Sequence, residues 1–226
     1  MRAMRDERGF TIVELLVSMS ATLVVMMGVV TLTTTVIHHQ SRISNRVDAD
    51  SRTRPAMTRI VQGLHSSCVT SHIVPIQTGS TGTSISFLSK SSAAVGPTPD
   101  LHTVSLSGTT LREAVYPATG GTPPTWTFSG TPSSNMSLLT NVAAPGGVIF
   151  RYYDFVNGAL STTPLPTPLS DSNAARVSYL TVSFTSSPGR GISTQDPNSP
   201  VMVTSGVDLR LENAGQYPNQ DNLPCI

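Results

Sequence analysis

Charged side chains are scarce, 12% of the 226 residues, about half the share of an ordinary soluble domain. Lysine occurs once, at Lys90, and every other basic residue is arginine, so lysine-based chemistry has a single candidate. The formal net charge is +1, which argues against nucleic acid as a partner, since that normally requires a concentrated basic face. Cysteine occurs twice, at Cys68 and Cys225, with no CxxC spacing. The histidines are either adjacent (His38-His39) or scattered (His65, His72, His102), and none has zinc-ligand spacing. HExxH, GxSxG, a P-loop and GxGxxG are all missing. The triplet Tyr152-Tyr153-Asp154 reads as strand aromatics and a turn aspartate rather than a catalytic cluster. The expectation is a chain that is not an enzyme and holds no cofactor or metal.

What is present is Ser, Thr, Gly and Pro in abundance, a composition suited to exposed β-structure with many turns, and one long apolar run. Residues 1 to 9 are short and polar, with Arg2, Arg5 and Arg8 set against Asp6 and Glu7. From Phe10 to Ile37 the sole charge is Glu14. As a helix this run spans about 42 Å at 1.5 Å per residue, enough for a bilayer core of about 30 Å. A cleavable signal peptide ending near Ser18-Met19-Ser20 would leave a second apolar stub, Val24 to Val30, on an exported protein. A plain signal anchor leaves Glu14 without a purpose, although a carboxylate inside a membrane helix costs about 2.5–3.5 kcal/mol on insertion scales.

The stretch Gly9-Phe10-Thr11-Ile12-Val13-Glu14-Leu15-Leu16 resembles the cleavage and methylation segment of type IV prepilins and the related pseudopilins. The resemblance implies that a prepilin peptidase cuts between Gly9 and Phe10 on the cytoplasmic side and methylates the new amino group of Phe10. It also implies a role for Glu14, the fifth residue after the cut. In a filament, the carboxylate would meet the Phe10 amine of a neighbouring subunit and set the register between otherwise uniform apolar helices. Arg42, Arg46, Arg52 and Arg54 follow the run and do not favour export by charge alone; the leader motif outweighs them.

Beyond Ile37 the pattern predicts a continued helix with a stripe at Ile43, Val47, Asp50, Arg54, Met57, Val61 and Leu64. Pro55 would kink it or start a separate helix, and Gly63 to Cys68 mark its end. Strands are predicted at 84–88, 102–106, 110–116, 126–128, 136–142, 148–155, 175–184 and 201–211, with hairpin turns at Ser107-Gly108 and Asn157-Gly158. Residues 97–99, 120–124 and 164–168 read as proline-rich exposed loops. The stretches at 138–160 and 205–213 are similar to the C-terminal domains of larger minor pilins of the PilW type and of larger type II secretion pseudopilins. In an exported chain two lone cysteines are expected to pair, so a Cys68–Cys225 disulfide would tie the C-terminal segment to the base of the helix.

The resulting expectation is an α+β fold, with a leader at 1–9, an N-terminal helix at 10–67 (membrane-spanning over 10–37, amphipathic over 38–67) and a β-rich head at 68–226 on antiparallel sheet. The resemblance implies a structural minor pilin or pseudopilin that joins or primes a type IV pilus-like filament. Its partners would be the prepilin peptidase, other pilins or pseudopilins, the membrane assembly platform and, before assembly, the lipid bilayer. It would be a single-pass protein of the inner or cytoplasmic membrane with an exported head. The alternative is a membrane-anchored, adhesin-like binding module that does not assemble.

Overall fold

The computed structural model describes residues 11–68, 74–90, 98–122, 125–187 and 200–209, with the side chains of residues 41 and 42 excepted. The chain divides into two compact units, one up to Asn45 and one from Arg46 onward. A single helix, α1 (Ile12–His65), contributes to each. It continues unbroken through Pro55, so no separate helix starts there.

In the first unit the described residues up to Gln40 are all exposed. An 18-residue window of α1 reaches a mean hydropathy of 2.2 with none of it buried, so the helix is long and apolar enough to cross a membrane. The hydroxyls within it are bonded back to the backbone. Ser18 donates to the Leu15 carbonyl at 2.9 Å, Thr22 to Ser18 at 2.7 Å, Thr31 to Met27 at 2.8 Å and Thr33 to Val29 at 2.8 Å. Such back-bonding leaves no hydroxyl proton unsatisfied where no water is at hand.

The second unit is built on antiparallel sheet. Strands β1 (Ser84–Ser89), β2 (Asp100–Ser107), β3 (Thr110–Tyr116) and β6 (Ser134–Leu139) form one sheet in that order. Between β3 and β6 a ribbon is inserted, made of β4 (Ala118–Thr122) and β5 (Thr125–Phe128). A second sheet is centred on β11 (Tyr179–Ser186), flanked on one side by β12 (Val201–Asp208) and on the other by β7 (Val142–Ala143) and β8 (Phe150–Tyr153). A small hairpin, β9 (Phe155–Val156) with β10 (Ala159–Leu160), leaves the end of β8, and a one-turn helix α2 (Asp171–Ala174) precedes β11.

One core joins the two sheets to the helix. Ala56, Met57, Ile60 and Leu64 of α1 meet Ile85, Phe87, Val104 and Leu111 of the first sheet and Phe150, Tyr152, Leu180, Val182, Phe184 and Val207 of the second. Each large apolar side chain buried here contributes about 1.5–3 kcal/mol. Close approach is possible because the helix presents a small residue: a Cβ on Gly63 would lie 3.0 Å from Cζ of Phe87. Tyr152 is fully buried and its phenol donates to the Thr81 carbonyl at 2.8 Å. Burial raises its pKa well above the usual phenol value.

Several expectations are corrected. The buried stripe of α1 runs through Ala49, Thr53, Ala56, Met57, Ile60 and Leu64, while Ile43 is 64% and Val47 61% exposed. The small side chains Ala49, Thr53 and Ala56 let the helix approach closely, whereas Ile43 and Val47 lie off the buried stripe. Arg54, placed on the inner stripe from sequence, is exposed and pairs with Asp50 at 2.7 Å along the helix. Residues 120–122, read as part of a loop, belong to β4. The predicted strand at 136–142 is broken by Asn141, whose φ of 59° turns the chain before β7. The one at 148–155 begins only at Phe150, because Val148 caps the turn Pro145–Gly147, and it is interrupted at Asp154. The strand predicted from Ala175 begins only at Tyr179, because Ala175 caps α2. The hairpin turn placed at Ser107-Gly108 falls one residue later, on Gly108-Thr109.

Candidate functional site

The first turn of α1 carries the sole charge of the run from Ile12 to Ile37. Thr11 precedes the helix, and its Oγ1 accepts a hydrogen bond from the Glu14 N–H at 3.3 Å, while its carbonyl accepts from the Leu15 N–H at 3.2 Å. Thr11 is thus the N-cap, and Thr-x-x-Glu has the spacing of a capping box. Position within the first turn also favours a carboxylate by about 0.3–1 kcal/mol through the helix dipole. That gain is smaller than the roughly 2.5–3.5 kcal/mol that a carboxylate costs deep in a bilayer. Local capping therefore does not by itself account for a charge at Glu14, and an opposite charge from outside the helix would.

Glu14 is exposed, as are its apolar neighbours Ile12 (81%), Leu16 (61%) and Val17 (61%). Such a surface has no stable place in water. Gly9 and Phe10, the expected cleavage pair, lie outside the described residues, as does Cys225.

Cys68 lies three residues past the end of α1 and is 1% exposed. Its N–H donates to the Leu88 carbonyl at 2.8 Å, and it packs with Leu88 against half-buried Leu101, Trp126 and Phe128. No cysteine among the described residues is a free thiol.

The second unit also holds a buried polar cluster that no sequence pattern announces. Glu113 of β3 accepts from Nε of Arg59, on α1, at 2.9 Å, and its other oxygen lies 2.9 Å from Nδ1 of His102, on β2. The Glu113 and His102 side chains are 5% and 4% exposed, whereas that of Arg59 is 51% exposed. The His102 ring stacks on Phe87 with centroids 5.4 Å apart, and its Nε2 is buried without a partner. Burial pushes the Glu113 carboxyl up, but the hydrogen bonds from His102 and Arg59 and the charge of Arg59 outweigh it and hold the carboxyl below its usual pKa. The cluster clamps helix to sheet. Signs of it in the sequence are confined to an arginine on a helix and a glutamate in an alternating strand, features too common to single out.

Tyr152, Tyr153 and Asp154 do not converge. Tyr152 is in the core, Tyr153 stacks obliquely on Tyr179 at 6.0 Å, and buried Asp154 pairs with Arg176. Among the described residues no group of three or more His, Cys, Asp or Glu side chains is arranged to hold a metal ion.

Residues 4–30 match the prokaryotic N-terminal methylation motif. No curated protein matches the chain. The matched residues take in most of the polar leader, Gly9-Phe10, the Thr11 cap, Glu14 and more than half of the apolar run. The motif implies processing by a prepilin peptidase, and the helix on which it lies indicates membrane anchoring. The N-terminal segment thus carries the methylation motif found in type IV pilins and pseudopilins.

Proposed function

We propose that the chain is a structural minor pilin or pseudopilin, cleaved between Gly9 and Phe10, N-methylated on Phe10, and incorporated into or priming a type IV pilus-like filament. The observation that carries this reading is the coincidence of the methylation motif at residues 4–30 with an exposed apolar helix whose sole charge is Glu14. Cleavage would create an α-ammonium group with an ordinary pKa of about 7.7–8.0. Carboxylate and ammonium, each costly alone in an apolar medium, offset one another when paired. Glu14 is assigned as the register element that meets the Phe10 amine of a neighbour.

In this reading the leader is residues 1–9, the spine runs through 10–67, and the head, 68–226, is exported from the inner or cytoplasmic membrane before reaching the pilus or pseudopilus. The size of the head favours a minor subunit, since large heads complicate dense helical packing. Cys68 and Cys225 form a disulfide that ties the C-terminal segment to the helix base. Prepilin peptidase, other pilins and the membrane assembly platform are the partners.

Intact-mass and N-terminal analysis of protein from its native host tests the reading. The expected mature chain starts at N-methylated Phe10. A chain starting at Met1 or Ala21 would sink it.

A further inference from the structure

The outer face of the second sheet gathers polar groups that no described residue engages. Strand alternation turns Tyr152 of β8, Leu180 and Val182 of β11 and Val207 of β12 into the core, and the residues between them outward. Register sets the outward residues in two adjoining rows across the three strands. One row is Tyr153, Tyr179 and Asp208; the next is Arg151, Thr181 and Gly206. Three strands span only about 10 Å, so both rows fit under one small ligand. Asp208 is exposed, and Arg151, Tyr153 and Tyr179 are half-buried. Among the described residues none of these four side chains makes a hydrogen bond or an ion pair.

Gly206 gives this face its shape. It lies on β12 diagonally from Tyr179, within reach of a long side chain. A Cβ on Gly206 would meet Cζ of Tyr179 at 2.7 Å and Cε2 at 3.2 Å. A phenol end this close to the β12 backbone belongs to a ring that reclines along the sheet instead of standing off it. The Tyr153 ring lies beside it, with centroids 6.0 Å apart and planes at 54°. Covering a strand glycine with an aromatic ring helps to hold a sheet, which accounts for Tyr179 but not for Tyr153, Arg151 and Asp208 around it. Glycine inside a strand also marks places where a ligand comes close.

We propose that this face binds a neutral glycan. A sugar ring sets apolar C–H groups against an aromatic floor, and its hydroxyls both donate and accept. Arg151 supplies donors only, Asp208 acceptors only, and the two phenols supply both, so a polyhydroxyl chain satisfies every group present. The charges of Arg151 and Asp208 cancel. An acidic polymer would meet Asp208 and a basic peptide Arg151, each a like-charge contact. An apolar peptide would desolvate both charges without pairing either. A sheet face buries less of its ligand than a cleft does, so single contacts are weak, with a Kd of about 1 mM, and gain from a repeating ligand. The face belongs to the unit from Arg46 onward and does not depend on assembly into a filament.

Ligand-observed NMR titration of the full chain tests this, in a zwitterionic detergent that carries no sugar. The probes are linear hexamers of glucose, mannose, galactose and N-acetylglucosamine, with a galacturonate hexamer as the acidic control. At least one neutral hexamer should bind with a Kd of about 1 mM or tighter, and the galacturonate hexamer at least tenfold more weakly. Gly206→Ala, whose Cβ would lift the Tyr179 ring off the sheet, should weaken binding at least tenfold while unfolding followed by Trp126 fluorescence stays unchanged. Should Gly206→Ala fail to fold, Arg151→Ala carries the same test, since its side chain holds no described residue in place. Absence of binding by all four neutral hexamers overturns the proposal. So does galacturonate binding as tight as theirs, or neutral binding that both variants leave intact. None of these outcomes touches the filament reading, which rests on the processed N-terminus.

Discussion

Removing the Glu113 carboxylate should loosen the joint between α1 and the first sheet, by an amount the geometry bounds. The carboxylate takes one hydrogen bond from buried His102 and one from Arg59, whose side chain is 51% exposed. The Arg59 pair is worth no more than a surface ion pair, about 0.2–1 kcal/mol, because water competes for the guanidinium. The His102 bond is buried and charge-assisted, about 1.5–3 kcal/mol. Glu113→Ala also leaves His102 with both ring nitrogens unpartnered, so the expected loss is about 2–4 kcal/mol. Glu113→Gln keeps an acceptor for His102 and should lose about 1–2 kcal/mol.

The acid limb discriminates further. The folded-state pKa of Glu113 is depressed, so its contribution is fully present above the unfolded value, about 4.3. It is lost as pH falls from there through the lower folded value. The unsubstituted chain should therefore lose more stability on acidification below pH 4.3 than Glu113→Gln does. Denaturant unfolding of the full chain in detergent, followed by fluorescence of Trp126, the single tryptophan, measures both effects. A Glu113→Ala loss below about 0.5 kcal/mol, or the same acid dependence in Glu113→Gln, would refute the reasoning.

Gly63→Val should cost about 1–3 kcal/mol by overpacking. Its side chain would press on a Phe87 ring that is buried and stacked on His102, and the same unfolding assay reads it. Non-reducing peptide mapping of exported protein should recover Cys68 and Cys225 in one linked peptide, whereas alkylation of both thiols without reduction would contradict the pairing. Cys225→Ser should raise protease sensitivity of the C-terminal segment, with a stability loss of at most about 5 kcal/mol from chain entropy over so long a loop.

What was legible in the sequence was local. A leader motif, an apolar run and a lone carboxylate are read from neighbouring residues, and so were the alternating strands that became β1, β2, β3, β11 and β12. The ribbon of β4 and β5 was half missed because it is held by backbone pairing at the surface, with residues 119–122 exposed, rather than by a buried apolar face. The buried stripe of α1 is not legible from apolar spacing, because side-chain size helps to decide it. Ala49 and Thr53 are buried because they are small enough for the helix to come close, and no periodicity of apolar residues shows that. The His102–Glu113–Arg59 clamp depends on the register of β2 against β3, where Glu113 faces Val104 and His102 faces Val115, and on where α1 lands. Both are set by contacts distant in sequence. The Thr11 cap is written in the sequence as Thr-x-x-Glu.

Two uses are proposed for Glu14, a place in the capping box of its own helix and pairing with a neighbour's amine, and one substitution divides them. Glu14→Gln keeps the capping-box side chain and removes the charge; Glu14→Val removes both. Membrane insertion should hold or improve in each, and cleavage after Gly9 should persist. The measurement is the amount of each processed variant in sheared filaments relative to membranes, with the unsubstituted chain as reference. The account predicts that Glu14→Gln is processed normally and is depleted from filaments as strongly as Glu14→Val. Entry of Glu14→Gln at the unsubstituted level would contradict it, reducing Glu14 to a helix cap and favouring the anchored binding module.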